Sequence, residues 1–205
     1  MIVVVFNKPD FEYDVHSLLK EFFPQEDVQM YYSCSPDEVE GKNLACTHHE
    51  MTDDGVKEFA DASQVFKIDY VGDEIAVEWT LNRDGGNNSM TDEMQQADES
   101  DIKTDGESIC TKISVTGTDR KETKNRLKLA LYSMIEKGTG KSLPWGTLSG
   151  IRPTKIAMKC IEDGMSDKET YDYLKKTYLA SDEKIDLSIG IAKREKALLD
   201  KVDYD

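Results

Sequence analysis

The chain has no long apolar run, no closely spaced cysteines and few basic residues in its first half. No apolar segment approaches the roughly 20 residues that span a bilayer, and residues 1–6 lack the basic flank and cleavage site of a signal peptide. The four cysteines include no Cys-x-x-Cys pair, which favours free thiols in a reducing compartment over a disulfide framework. These absences predict a cytoplasmic protein with no membrane partner.

The scarcity of basic residues is confined to one part of the chain. Residues 1–118 hold 8 Lys or Arg and 26 Asp or Glu, whereas residues 119–205 hold 18 and 15, so the two net charges are −18 and +3. Cations that neutralise phosphates supply most of the affinity for nucleic acids. Nucleic acid is therefore not an expected partner of the first half.

The sequence also lacks a complete catalytic or metal site. It has no Gly-x-Ser-x-Gly and no three-cysteine cluster motif. Residues 138–142, Gly-Thr-Gly-Lys-Ser, resemble the end of a phosphate-binding loop, but they follow a predicted helix, so helix C-capping is the preferred interpretation. Cys46, His48, His49 and Glu50 carry metal-binding atoms, yet adjacent histidines on an irregular segment do not define a tetrahedral site. We interpret them as a surface loop and predict no catalytic residue and no metal ligand.

Hydrophobic periodicity predicts an α+β domain over residues 1–142, with a small mixed or antiparallel sheet packed with helices. It begins as β-α-β, with a strand over 2–6, a helix that Asp10 or a neighbour caps, and a strand over 28–33. These two strands are either parallel neighbours or flank a third. A short helix is predicted around 55–60.

A β-meander is predicted next. Alternating apolar residues over 64–81 indicate a hairpin, and a third strand follows over 108–116. Between them, residues 82–107 are strongly acidic and cannot bury enough apolar surface to order themselves, so we predict a mobile loop. From Asp119, which with Glu122 forms a helix cap, the period becomes helical.

Residues 143–205 are predicted to form a hinge and a helical connector. The hinge contains two prolines, two glycines and Trp145. Pro153 has the backbone geometry suited to the first position of a helix. Two further helices are predicted to start at a capping box of Ser166 with Glu169 and at a Ser181 cap.

Residues 143–155 read Leu-Pro-Trp-Gly-Thr-Leu-Ser-Gly-Ile-Arg-Pro-Thr-Lys, and the capping box and the run 178–195 follow them. Together with Asp-Phe-Glu-Tyr-Asp at 10–14, this pattern resembles the N-terminal region of the HemZ-type coproporphyrinogen dehydrogenases, which are oxygen-independent coproporphyrinogen III oxidase-like radical SAM proteins. The resemblance covers both ends of the chain and is weak over 35–107.

The resemblance implies an N-terminal accessory region of an oxidoreductase of porphyrin and haem biosynthesis. In that family a radical SAM barrel follows, where a Cys-x-x-x-Cys-x-x-Cys motif holds a 4Fe-4S cluster and S-adenosylmethionine is cleaved to a radical. The reaction is the oxidative decarboxylation of coproporphyrinogen III to protoporphyrinogen IX. Because those cysteines are absent here, this chain alone is expected to hold neither cofactor and not to be catalytic. The implied partners are its own C-terminal radical SAM domain and the porphyrinogen substrate.

Three residues are candidates for contacts with that domain or with substrate: Trp145, Arg152 and Lys155. Arginine can pair two-pronged with a carboxylate, and tryptophan can fill an apolar pocket. In the alternative, Arg152 only satisfies helix-end carbonyls within the chain.

A competing hypothesis is a noncatalytic binding module for RNA, a protein partner or haem. The contact would be made by basic residues of the helix that starts near residue 119, although such residues more often form a solvated face. They are Arg120, Lys121, Lys124, Arg126 and Lys128.

Overall fold

The structure is a computed structural model that describes residues 1–33, 48–50, 59, 62–81, 103–105, 108–149 and 152–200. The chain divides into two compact units, Met1–Lys141 and Ser142–Asp205. No helix in the described ranges is both long enough and apolar enough to cross a membrane.

The described part of the first unit contains one mixed sheet of seven strands, in the order β3-β2-β1-β4-β5-β7-β6. The strands are β1 (Ile2–Phe6), β2 (Val28–Tyr32), β3 (His48–Glu50), β4 (Gln64–Val71), β5 (Glu74–Leu81), β6 (Lys103–Asp105) and β7 (Ser108–Ser114). Five are of ordinary length and the two at the edges have three residues each. The α+β prediction is confirmed.

Strand β1 lies at the centre of the parallel part of the sheet. It pairs in parallel with β2, where Ile2 is opposite Val28, and with β4, where Ile2 is opposite Gln64. The β-α-β start therefore makes parallel neighbours, which decides between the two predicted arrangements. Beyond β4 the sheet is antiparallel, because β4 pairs with β5 and β5 pairs with β7. The predicted meander is confirmed.

The two edge strands differ from the sequence predictions. His48–Glu50, interpreted as a surface loop, pairs in parallel with β2. Lys103–Asp105 lies within the stretch predicted as a mobile loop and pairs with β7. Neither segment has the alternating apolar pattern by which strands are predicted. A segment can pair through its backbone with a neighbouring strand without that pattern. The rest of 82–107, and the helix predicted around 55–60 except for Phe59, lie outside the described residues.

Two helices of the first unit are described, α1 (Glu12–Phe22) and α2 (Arg120–Thr139). They pack against each other, with the Phe22 and Tyr132 ring centroids 5.2 Å apart. Asp119 caps α2 as predicted, because its carboxylate accepts the Glu122 backbone N–H at 2.7 Å. The cap predicted for α1 is wrong as a side-chain cap: Phe11 occupies the N-cap position in a left-handed conformation with no side-chain bond. The Asp10 carboxylate instead accepts a hydrogen bond from Arg120.

The core of the first unit includes Trp79 on β5, which is 1% exposed. Its ring stacks on Phe66 at 5.4 Å, and its indole N–H donates to Gln64. Helix α2 comes so close that a Cβ placed on Gly138 would lie 2.3 Å from Trp79 Cζ3. Gly138 was predicted to help end α2, but it lies inside the helix and allows this close packing. The C-cap is Gly140, whose N–H donates to the Glu136 carbonyl, so the C-capping interpretation of residues 138–142 is confirmed.

The described part of the second unit contains three helices, α3 (Pro153–Glu162), α4 (Asp167–Tyr178) and α5 (Asp182–Leu199). Buried side chains of these helices and Leu148, which precedes them, form one apolar cluster; its helical members include Ala157, Leu174, Tyr178, Ile185, Ile189 and Ala192. The predicted capping box at the start of α4 is present: the Glu169 N–H donates to the Ser166 hydroxyl oxygen, and the Ser166 N–H donates to the Glu169 carboxylate. Ser181 occupies the N-cap position of α5, but its side chain makes no capping bond.

Candidate functional site

The stretch predicted as a hinge is docked within the second unit. Gly146, Thr147, Leu148 and Ser149 are buried. The Thr147 N–H donates to the Tyr178 carbonyl at 2.7 Å, and the Ser181 N–H donates to the Pro144 carbonyl at 2.9 Å. These bonds join residues 144–149 to the junction between α4 and α5, so this part of the stretch belongs to the second unit.

Gly146 is what allows the stretch to approach that junction so closely. Its φ is +58°, a conformation that disfavours other residues. A Cβ at this position would lie 1.9 Å from the Tyr178 carbonyl oxygen and 2.5 Å from the Leu179 carbonyl carbon. Leu179 is itself left-handed, with φ 56°. Gly146 on one side of the contact and Leu179 on the other thus both have a left-handed backbone conformation.

Trp145, the first candidate contact residue, is half-buried and packs against the apolar cluster of the second unit. The Lys184 ammonium lies 5.6 Å from the centre of its ring, a distance at which a cation is attracted to the face of an indole. The side chain is therefore committed in part to the unit's own packing, and only its remaining surface is open to a partner.

Arg152 and Lys155, the other two candidates, are exposed at the start of α3. Arg152 is the N-cap residue and makes no side-chain capping bond. Neither side chain forms an ion pair or a hydrogen bond with any residue that the structure describes. The alternative in which Arg152 satisfies helix-end carbonyls is thus unsupported within the described ranges. Both cations are available to a ligand, unlike the indole of Trp145.

Lys159 is a further exposed residue on α3 that sequence reasoning missed. It lies four residues after Lys155, and residues four apart share a helix face. The spacing of four residues between Lys155 and Lys159 would have placed Lys159 beside Lys155, but Lys159 lies outside the motif 143–155 from which the candidates were taken.

The basic residues of α2, on which the competing hypothesis depends, are largely paired inside the first unit. Arg120 Nη1 lies 3.0 Å from the Asp10 carboxylate, Lys124 Nζ lies 3.5 Å from that of Asp14, and Arg126 Nη2 lies 2.5 Å from that of Glu122. The Arg120 guanidinium also lies over the Phe11 ring at 4.6 Å. These cations join α2 to α1 and to itself, so they do not form a free phosphate-binding surface.

Lys128 of α2 is buried, with 5% of its surface exposed. Burial lowers the pKa of its ammonium, while the nearby carboxylates of Asp14 and Glu21 oppose that shift. Burial in turn raises the pKa of Glu21, and Lys128 opposes it. Lys128 is therefore a residue of the α1–α2 interface and not part of a solvated face.

The described residues do not form a metal or cluster site. No group of three or more His, Cys, Asp or Glu side chains comes together among them. Cys110 is half-buried in β7, and Cys160 is buried in α3, where burial raises the pKa of its thiol. Cys34 and Cys46 lie outside the described residues. The donor set of the described residues does not fit an iron-sulfur cluster.

A comparison with known proteins gives one informative similarity. The chain is 40% identical over 77 residues to the oxygen-independent coproporphyrinogen-III oxidase-like protein HemZ of Bacillus subtilis (strain 168). The matched residues are 38% of this chain and 15% of the relative. The chain thus covers a small part of that protein's length. No family model and no solved structure matches the chain.

Proposed function

We propose that this chain is a noncatalytic accessory region of an oxidoreductase of porphyrin and haem biosynthesis. The observation that carries the proposal is the 40% identity over 77 residues with a coproporphyrinogen-III oxidase-like protein. The reaction would be carried out by a further domain of the same protein.

In this proposal the further domain is a radical SAM barrel, and the whole protein decarboxylates coproporphyrinogen III oxidatively in the cytoplasm. The barrel would supply the 4Fe-4S cluster and the S-adenosylmethionine site. This chain would contribute contacts to the barrel or to the substrate, through the exposed cations of Arg152 and Lys155. Trp145 would contribute mainly by holding the stretch 144–149 in place.

The experiment that tests the proposal starts from the complete coding sequence. Codons downstream of Asp205 should encode three cysteines at the spacing that binds three corners of a 4Fe-4S cluster. The anaerobically purified protein should then convert coproporphyrinogen III to protoporphyrinogen IX when supplied with S-adenosylmethionine and a reductant. A stop codon at that point, or a cluster-loaded protein that leaves coproporphyrinogen III unchanged, would contradict the proposal.

The binding-module alternative has its own test. Retention of the chain on RNA with a steep dependence on salt would support it, since released counterions produce that dependence. The ion pairs of Arg120, Lys124 and Arg126 weigh against this result, because a paired cation has less charge to offer a phosphate.

A further inference from the structure

Helix α5 has apolar residues on two opposite sides, and only one of them packs within the second unit. The buried, inward residues are Ile185, Ser188, Ile189 and Ala192. On the other side, Leu187 and Leu198 are 47% and 65% exposed, and Ile191 between them is half-buried. Spacings of four and seven residues place these three side chains on one side of the helix. We call this side the α5 outer face, and its residues are Asp186, Leu187, Gly190, Ile191, Arg194 and Leu198.

Gly190 lies in the middle of the α5 outer face, although glycine is the least favourable residue in a helix interior after proline. Within the described part of the chain, no heavy atom lies within 4 Å of a Cβ added at Gly190. Packing inside the second unit therefore does not require a glycine at this position. A cleft of about 430 Å³ between α4 and α5 opens beside Gly190. The surface at Gly190 thus has room for a group from another molecule.

Two opposite charges flank Gly190 at equal distances along the helix. Asp186 lies four residues before Gly190 and Arg194 lies four residues after it, and both are exposed. Neither has an ion-pair partner among the described residues, whereas Lys193 beside them pairs with Asp167. The helix dipole does not account for this arrangement, because it acts on the first and last turns and both residues lie inside those turns.

A second copy of α5, running in the opposite direction, complements all of these features at once. If the two helices cross at Gly190, each residue lies level with the residue of the other copy that is equally far from Gly190 in the other direction. Asp186 of one copy is then level with Arg194 of the other, and the two-fold symmetry repeats this pair. The two glycines allow the backbones to approach closely where the helices cross. Such a self-complementary surface is typical of a two-fold homodimer interface.

We propose that this chain forms a homodimer through the α5 outer face, with the two α5 helices antiparallel and crossing at Gly190. Asp186 of each copy pairs with Arg194 of the other copy. Leu187 of each copy packs against the aliphatic part of that same Arg194 side chain, since long charged side chains cover apolar surface with their stems. The inference is independent of the reaction proposed above, because it uses no property of a further domain.

The first measurement is sedimentation velocity of the 205-residue chain from about 5 to 500 µM at low salt. A contact of one helix pair belongs to the small class of interfaces, so we expect a dimer with a Kd on the order of 10–100 µM. Added salt should weaken the dimer, because exposed ion pairs are screened. A chain that stays monomeric at about 500 µM would overturn the inference.

The role of Gly190 is tested with Gly190→Gln. The glutamine side chain occupies the point where the helices cross, so the dimer should be at least about tenfold weaker. Thermal denaturation of the dilute, monomeric chain should show no loss of stability, because glutamine is a better helix former than glycine and has open space there. An unweakened dimer would mean that α5 is not the interface and would overturn the inference.

The antiparallel pairing is tested by exchanging the two charges. Asp186→Arg places like charges level with each other at two points, and should weaken the dimer about tenfold. The double variant Asp186→Arg/Arg194→Asp restores opposite charges, and its Kd should return to within about threefold of that of the unmodified chain. A double variant as weak as Asp186→Arg would overturn the proposed pairing.

A matched control separates this contact from net charge. Asp172 is exposed on α4, and Asp172→Arg makes the same change of charge away from the α5 outer face. Its dimer should keep a Kd within about twofold of that of the unmodified chain. Equal weakening by Asp172→Arg and Asp186→Arg would indicate general charge repulsion and would overturn the inference.

Discussion

Helix α2 of the first unit and helix α3 of the second unit use their basic residues in opposite ways. In the first unit, Arg120 and Lys124 of α2 pair with carboxylates near or on α1, and Lys128 is buried between the two helices. In the second unit, Arg152 at the N-cap of α3 and Lys155 and Lys159 on that helix are exposed, with no acidic partner among the described residues. The more basic-looking helix in the sequence is therefore the one whose charges are used for packing.

The units also differ in the groups that their glycines approach most closely. In the first, Gly138 lets a helix lie against the Trp79 ring on a strand. In the second, Gly146 lets an irregular segment lie against the carbonyl groups of a helix junction. A side chain can move to relieve strain, whereas a backbone carbonyl at a junction is less free to move. The second contact should therefore be the more sensitive one.

The largest effect is expected from Gly146→Ala. The new methyl group would overlap the Tyr178 carbonyl, and the residue would keep a left-handed conformation, so we expect a loss of about 3 kcal/mol in unfolding free energy. Urea denaturation measures the loss, and hydrogen exchange should place it in α4 and α5. Gly164→Ala is the control: φ is +83° there, but nothing lies within 4 Å of the new Cβ, so the cost should be about 1 kcal/mol. Equal losses at the two positions would contradict the backbone contact.

A smaller loss is expected from Gly138→Ala in the first unit. The Trp79 ring must shift to accept the methyl group, at a cost of about 2 kcal/mol, partly offset by the better helix propensity of alanine. Gly190 of α5 is the matched helical position, with nothing within 4 Å of an added Cβ, and Gly190→Ala should stabilise by roughly 0.5–1 kcal/mol. Thermal denaturation compares the two, and a stabilising Gly138→Ala would show that α2 lies farther from Trp79.

The opposite use of cations predicts opposite stability effects of two arginine substitutions. Arg120→Ala should cost about 0.5 kcal/mol, because it removes an ion pair in which the arginine side chain is 71% exposed. Arg152→Ala should cost nothing, or stabilise by a few tenths of a kcal/mol, since it removes a cation from a helix start. Denaturant midpoints of the two variants and of the unmodified chain, measured at low salt, test both expectations. A clear destabilisation by Arg152→Ala would reveal an internal partner for that guanidinium.

The smallest effect concerns pH and the capping box of α4. Hydrogen bonds from the Ser166 backbone N–H and hydroxyl lower the pKa of Glu169 below its usual 4.5. The stabilisation is therefore present above pH 4.5 and is lost as pH falls through the lowered value. Ser166→Ala should move the pKa of Glu169 upward, as measured by NMR titration. Ser181→Ala is the control, because the Ser181 side chain makes no capping bond, and it should leave the low-pH melting of α5 unchanged.

Local patterns in the sequence were sufficient for much of this fold. The hairpin of β4 and β5, the Asp119 cap and the Ser166–Glu169 capping box each depend on residues that lie close together in the chain. The edge strands β3 and β6 could not be predicted, because their order comes from a neighbouring strand rather than from their own composition. The left-handed conformation of Phe11 could not be predicted either, because no glycine or turn sequence near Phe11 indicates it.

The candidate site was predicted in part, for the same physical reason. The motif around Arg152 and Lys155 marks a helix start, and their exposure follows from which face of α3 is apolar. That Trp145 packs internally beside Lys184 depends on α5, a helix about 40 residues downstream, and no local spacing reports it. The burial of Lys128 likewise depends on α1, more than 100 residues upstream in the chain.

The position of β1 has a consequence for how the protein is made. One of the two neighbours of this apolar strand, β4, is encoded about 60 residues after it, which is roughly 3 to 12 s of synthesis. During that interval one edge of Ile2–Phe6 stays open while its other edge can already pair with β2. An open apolar edge is a site for association with other chains. Association of the unfinished chain through this edge of β1 is thus possible until β4 has been synthesised and paired.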